Sequence, residues 1–142
     1  MASRINTNKK IIEPELSYQI MGLLFDVHTS LGNRYQEKYY QRAVEVAFKK
    51  ANLSFRKQIA VDLVYDAEKI GKYILDFVVE NKVVVELKAV PEFRKEDIRQ
   101  ILRYLKATGF PLGILVNFSS KKLSYKRILN AEAIQNDSQK YL

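Results

Sequence analysis

The chain has 142 residues, 47% of them hydrophobic, which suits one domain (1–142) with a core of its own. It has no cysteine and a single histidine, His28, which excludes disulfides, thiolate nucleophiles and cysteine-ligated zinc and argues against a serine–histidine relay. The charge is +8, from 24 Lys and Arg against 16 Asp and Glu, a balance that favours polyanions such as nucleic acid over a merely soluble basic surface only if other features agree.

The amino-terminal segment MASRINTNKKIIEPEL lacks the apolar stretch of a secretory signal, and no run of eighteen apolar residues occurs. A cytoplasmic location without a membrane partner is expected, with residues 1–13 and 131–142 as loosely held tails. Leu16, Ile20, Leu23, Leu24, Val27 and Leu31 recur at steps of three and four, predicting an amphipathic helix between Pro14 and Gly32. A second helix is predicted from about Gln36 to Ala51, with Tyr40, Val44, Ala47 and Phe48 as its apolar stripe.

Three strand-like segments follow, Ser54 to Tyr65, Lys72 to Val79 and Val83 to Lys88, and suggest a meander. After Pro91 comes a helix, Lys95 to Thr108, ended by Gly109. Leu112 to Phe118 is almost uniformly apolar, as a strand buried on both faces would be. The order ααβββαβ, followed by a short basic element near Leu123 to Asn130, predicts an α/β (α+β) sandwich with a mixed central sheet flanked by helices.

Chemistry concentrates in the second hairpin, where Asp76, Glu86 and Lys88 interrupt valine-rich strands. Alternation puts Ile74, Asp76 and Val78 on one face of the first arm and Val84, Glu86 and Lys88 on one face of the second. A three-residue turn, Glu80-Asn81-Lys82, pairs Val79 with Val83 and hence Asp76 with Glu86, with Asn81 or Lys82 left-handed; a two-residue turn would set the acids apart. Side by side on an apolar sheet, two carboxylates need a positive partner, and Mg²⁺ suits their hard oxygens while leaving positions for water and phosphate. Lys88 would then stand beside the metal, able to orient the attacking water or to stabilise developing negative charge. The alternative is an ordinary solvent-facing hairpin with cross-strand salt bridges.

Glu37 heads the stripe of the second helix, either reaching the metal and its water or simply complementing the helix dipole. Gln100 and Tyr104 stand four apart and share a helix face, flanked by Arg99 and Arg103. Lys121 and Lys122 form one of several basic pairs suited to a phosphate backbone, with a solvated surface as the alternative.

Together these residues resemble the PD-(D/E)XK nuclease superfamily, with Asp76 and Glu86-Leu87-Lys88 in the places of its signature. Gln100-Ile-Leu-Arg-Tyr104 looks like the Q-x-x-x-Y motif of its recombination and repair branch, and Glu37 like its first-helix acid. From about Tyr18 to Asn130 the chain is also similar to the GxxExxY proteins, although Arg34 stands at the naming glycine and Leu75 replaces the proline before the aspartate. The resemblance implies a restriction-endonuclease-like core and Mg²⁺- or Mn²⁺-dependent hydrolysis of phosphodiester bonds, in DNA by expectation. Asp76, Glu86 and the Leu87 carbonyl would hold the metal, assisted by Lys88. A binding module that keeps the nuclease fold without turnover is the alternative, and a homodimer with paired clefts is a further expectation.

Overall fold

Pro14 opens the first helix, α1 (Pro14–Leu31), where its missing N–H leaves no carbonyl unsatisfied, and Gly32 closes it at φ 79 with its N–H on the His28 carbonyl. The computed structural model describes residues 12–132. The tails expected to be loose lie outside the described residues except for 12–13 and 131–132. The second helix, α2 (Glu37–Lys50), follows after a short connection pinned by Tyr40, whose hydroxyl donates to the Gly32 carbonyl at 2.6 Å and accepts the Tyr35 N–H.

Five strands form one sheet in the order β1 (Phe55–Tyr65), β2 (Glu68–Val79), β3 (Val83–Lys88), β4 (Leu112–Asn117) and β5 (Ser124–Leu129). The first three make the expected antiparallel meander. Helix α3 (Lys95–Thr108) then carries the chain across, so that β4 runs parallel to β3. The strand order places β4 inside the sheet, and all six of its residues are buried, as its apolar run requires.

Two details depart from the sequence expectation. Strand β2 begins at Glu68 rather than Lys72, because Asp66 and Ala67 both take positive φ and close a tight turn that extends the β1–β2 hairpin. The short basic element is a fifth strand, antiparallel on β4, whose exposed polar residues suit a sheet edge. The order is therefore ααβββαββ, a restriction-endonuclease-like mixed sheet between helices.

Each face of the sheet has its own core. On one, Ile20, Leu24 and Val27 of α1 and Tyr40, Val44 and Phe48 of α2 pack on Phe77, Val85, Leu87, Ile114 and Val116. On the other, Ile101, Tyr104 and Leu105 of α3 meet Leu75, Val78, Val84 and Leu115. Helix α3 crosses β4 at Gly113, where an added Cβ would lie 2.5 Å from Ile101 Cγ2, so only glycine admits this approach.

Candidate functional site

The turn between β2 and β3 sets the register. Val79 pairs with Val83, Val78 with Val84 and Phe77 with Val85, the three-residue turn anticipated from sequence, and the Lys82 N–H donates to the Val79 carbonyl at 3.0 Å. The left-handed residues are Glu80 (φ 53) and Asn81 (φ 52). Of the two residues expected to allow this conformation, Asn81 is left-handed and Lys82 is not, and Glu80 is left-handed in addition. Continuing the register brings Asp76 opposite Glu86.

The regular ladder stops there, and the pleat inverts. Leu75 and Val78 both face α3 while Phe77 and Val79 face α1 and α2, so the shared face expected for Ile74, Asp76 and Val78 does not hold. On the other side of β2, pairing passes from Lys57–Phe77 to Ile59–Leu75 and skips Gln58, which has φ 51. Asp76 is thus released from strand pairing on both sides.

Side chains replace the missing ladder. The Asp76 N–H donates to Glu86 Oε1 at 2.9 Å, and the Leu87 N–H donates to Asp76 Oδ2 at 2.7 Å. Both acids are only 5% exposed. Burial and then the charge of Asp76 push the Glu86 carboxyl up to about 9. Asp76 is itself raised by burial, although the hydrogen bonds from its neighbours and the Lys88 charge counter part of that effect. At neutral pH the pair therefore retains a proton, a positive charge that a cation would replace.

Lys88, at the end of β3, lies 3.5 Å from Asp97 Oδ1 and is largely buried. Asp97 sits in the first turn of α3 and also accepts from the Arg94 N–H and guanidinium. Burial alone would raise its carboxyl, but these donors and the Lys88 charge hold it below the usual carboxylate range. Asn117, across the parallel ladder from Lys88, donates to the Val90 carbonyl at 2.8 Å and accepts the Val90 N–H at 3.2 Å. Its amide thereby fastens the chain just beyond the lysine. His28 reaches the Ser120 carbonyl at 2.9 Å and Asn33 the Ser119 carbonyl at 3.2 Å, tying the loop after β4 to α1 and its exit.

Glu37 opens α2 and reaches this centre through Gln41, one turn later. The Gln41 amide donates to Asp76 Oδ1 at 2.7 Å and to Glu37 Oε2 at 3.3 Å. Burial first, then the Asp76 charge, raises the Glu37 carboxyl. Asp76, Glu86, Leu87, Lys88 and Glu37 are thus brought together.

Gln100 and Tyr104 approach from α3 less directly. Tyr104 is buried in the second core beside Phe110, and the Gln100 backbone carbonyl accepts the Tyr73 hydroxyl at 3.1 Å. Burial raises the Tyr73 hydroxyl, with the Arg103 charge opposing and the Tyr104 and Glu86 charges adding to the rise. Arg99 and Arg103 are exposed but both pair with Glu96, at 3.9 and 3.1 Å. Lys121 and Lys122 are exposed in the β4–β5 connection, at the same sheet end as Lys88.

Sequence reasoning missed Gln41 and Asp97. Gln41 carried a weak signal, as the residue one turn beyond Glu37 on the same helix face. Asp97 reads from sequence as a helix amino-terminal acid, which it is, and its contact with Lys88 exists only in the folded sheet.

The donor set suits a hard divalent cation. Asp76 and Glu86 bring two buried carboxylates together, and among the described residues no group of three or more His, Cys, Asp or Glu is arranged to hold a metal. That donor count fits an ion such as Mg²⁺, which retains water on its remaining positions. The carboxyl end of parallel strands, where Lys88 and Asn117 lie, is also where open α/β sheets bind ligands.

Among the described residues no helix is long and apolar enough to cross a membrane. No curated protein matches the chain. A solved structure titled "Crystal structure of SSO0001" is similar to it with a TM-score of 0.50 and 15% identity, over 73% of this chain and 56% of that one. The chain spans little more than half of that protein, and at this identity the likeness bears on fold alone. The family model described as the PD-(D/E)XK nuclease superfamily matches residues 14–128, most of the chain and the whole sheet up to β5. With that match, and with Asp76 and Glu86-Leu87-Lys88 at the centre of its sheet, the chain belongs to the PD-(D/E)XK nuclease superfamily.

Proposed function

We propose that the protein is a Mg²⁺- or Mn²⁺-dependent nuclease that hydrolyses phosphodiester bonds of nucleic acid, with DNA as substrate, and that it stands within the GxxExxY group. The observation that carries this reading is the buried pair of acids, in which the Asp76 N–H donates to Glu86 Oε1 and the Leu87 N–H to Asp76 Oδ2 where the ladders on both sides of β2 release Asp76. Two acids buried in that way are costly to an ordinary hairpin and useful at a cation site.

Asp76, Glu86 and the Leu87 carbonyl would hold the cation, which supplies Lewis-acid stabilisation of the phosphate and acidifies bound water. Lys88, fixed by Asp97, presents an ammonium to the attacking water or to the charge that develops on the phosphate oxygens. Glu37 adds a third carboxylate, on the α2 side, linked to Asp76 through Gln41. Gln100 and Tyr104 lie on α3 over the other face of the sheet, where the Gln100 backbone carbonyl accepts the Tyr73 hydroxyl and Tyr104 packs in the second core. Arg99, Arg103, Lys121 and Lys122 are assigned to the phosphate backbone, a role that agrees with the +8 charge.

Plasmid and single-stranded DNA incubated with the pure protein and Mg²⁺ or Mn²⁺ should be cleaved. Asp76→Ala and Lys88→Ala should each lower the rate by about a hundredfold or more. Absence of cleavage by the wild type, or cleavage that survives both substitutions, contradicts the proposal. DNA binding that is insensitive to the cation and to Asp76→Ala, without cleavage, would identify a binding module instead.

A further inference from the structure

Asp76 is held at both carboxylate oxygens. The Leu87 N–H fixes Oδ2 from within the hairpin, and the Gln41 amide fixes Oδ1 from α2, 35 residues away in the chain. A carboxylate held at one oxygen can still swing about its Cβ–Cγ bond; a second donor on the other oxygen sets its plane. Gln41 is itself oriented, because the same nitrogen donates to Glu37 Oε2 at 3.3 Å. It is half-buried, and an amide adds no net charge. A lysine or arginine here would neutralise the carboxylates and compete with a cation, whereas an amide orients them and leaves their charge available.

We infer that Gln41 is a positioning residue of the cation site, fixing the Asp76 carboxylate plane and coupling Glu37 to it. The inference rests on the reading of Asp76 and Glu86 as cation ligands and extends it to the group that orients one of them. Hydrogen bonds to ligating carboxylates of this kind are worth about 10- to 100-fold in metal affinity. A role confined to packing would leave that affinity unchanged.

Two variants of the full chain separate these roles. Gln41→Met keeps length and volume but removes the donor, and Gln41→Asn keeps the amide but withdraws it by one methylene from both carboxylates. Mn²⁺ affinity is measured by calorimetry, alongside thermal melting in chelator to confirm that each variant folds. Wild type is expected to bind Mn²⁺, and both variants to bind it about 10- to 100-fold more weakly. If one variant fails to fold, the other decides between the roles, and should both fail, a structural role replaces the positioning one. Folded variants that bind within twofold of wild type overturn the inference while leaving the nuclease reading intact. Wild-type protein that binds no Mn²⁺ overturns both, a result that cannot be confused with the first.

Discussion

The two halves of the β2–β3 hairpin use the same strands for opposite purposes. Next to the turn, Val79–Val83, Val78–Val84 and Phe77–Val85 form a complete ladder of buried apolar pairs packed on both cores. One step further, Asp76 and Glu86 sit opposite each other, equally buried, yet their hydrogen bonds run from backbone to side chain. The apolar half fixes register and position, and the polar half uses that fixed position to hold charge where the sheet alone would reject it. Buried acids persist because the neighbouring pairs over-determine their place.

Cutting into the apolar half should have the largest effect. Phe77 is buried edge-to-face against Phe48 and Phe55, with ring centroids at 5.2 and 5.7 Å. Phe77→Ala should lower the unfolding free energy by about 3–5 kcal/mol in denaturant titrations, while Mn²⁺ affinity of the folded fraction stays near wild type. Loss of affinity without loss of stability would show that the two halves are not divided in this way.

The polar half should show a smaller effect, read through pH. A carboxyl raised from 4.5 to about 9 keeps its proton in the folded protein over a pH range in which the unfolded chain has released it. Stability of the metal-free protein should therefore be fully present at about pH 4.5 and fall as pH rises towards 9. Asp76, also raised, acts in the same direction; Asp97, lowered, acts only in more acidic solution. Thermal melts in chelator from pH 5 to 9 should show this decline, and Glu86→Gln should flatten most of it. An equal slope in the variant would place the titration elsewhere.

Much of this was legible in the sequence where local rules decide the outcome. Valine alternation, together with the three residues Glu80-Asn81-Lys82, gave the hairpin register, and the apolar run from Leu112 gave a strand covered on both faces. What stayed hidden depends on contacts distant in sequence. The inverted pleat at Asp76 lies opposite the positive φ of Gln58 on the neighbouring strand, and no rule of alternation along β2 contains it. Gln41 and Asp97 acquire their roles only when α2 and α3 close on opposite faces of the sheet. Strand β5, exposed and basic, has the composition of a surface segment because it forms an edge.

On the proposed reading, Asp76 and Glu86 hold a divalent cation between them. Calorimetric titration of Mn²⁺ into the metal-free protein at neutral pH tests it most directly, with Asp76→Asn and Glu86→Gln as comparisons. Saturable binding of one ion per chain, accompanied by proton release and abolished by either substitution, is the predicted result. Binding that is absent in the wild type, or that survives both substitutions, would contradict it.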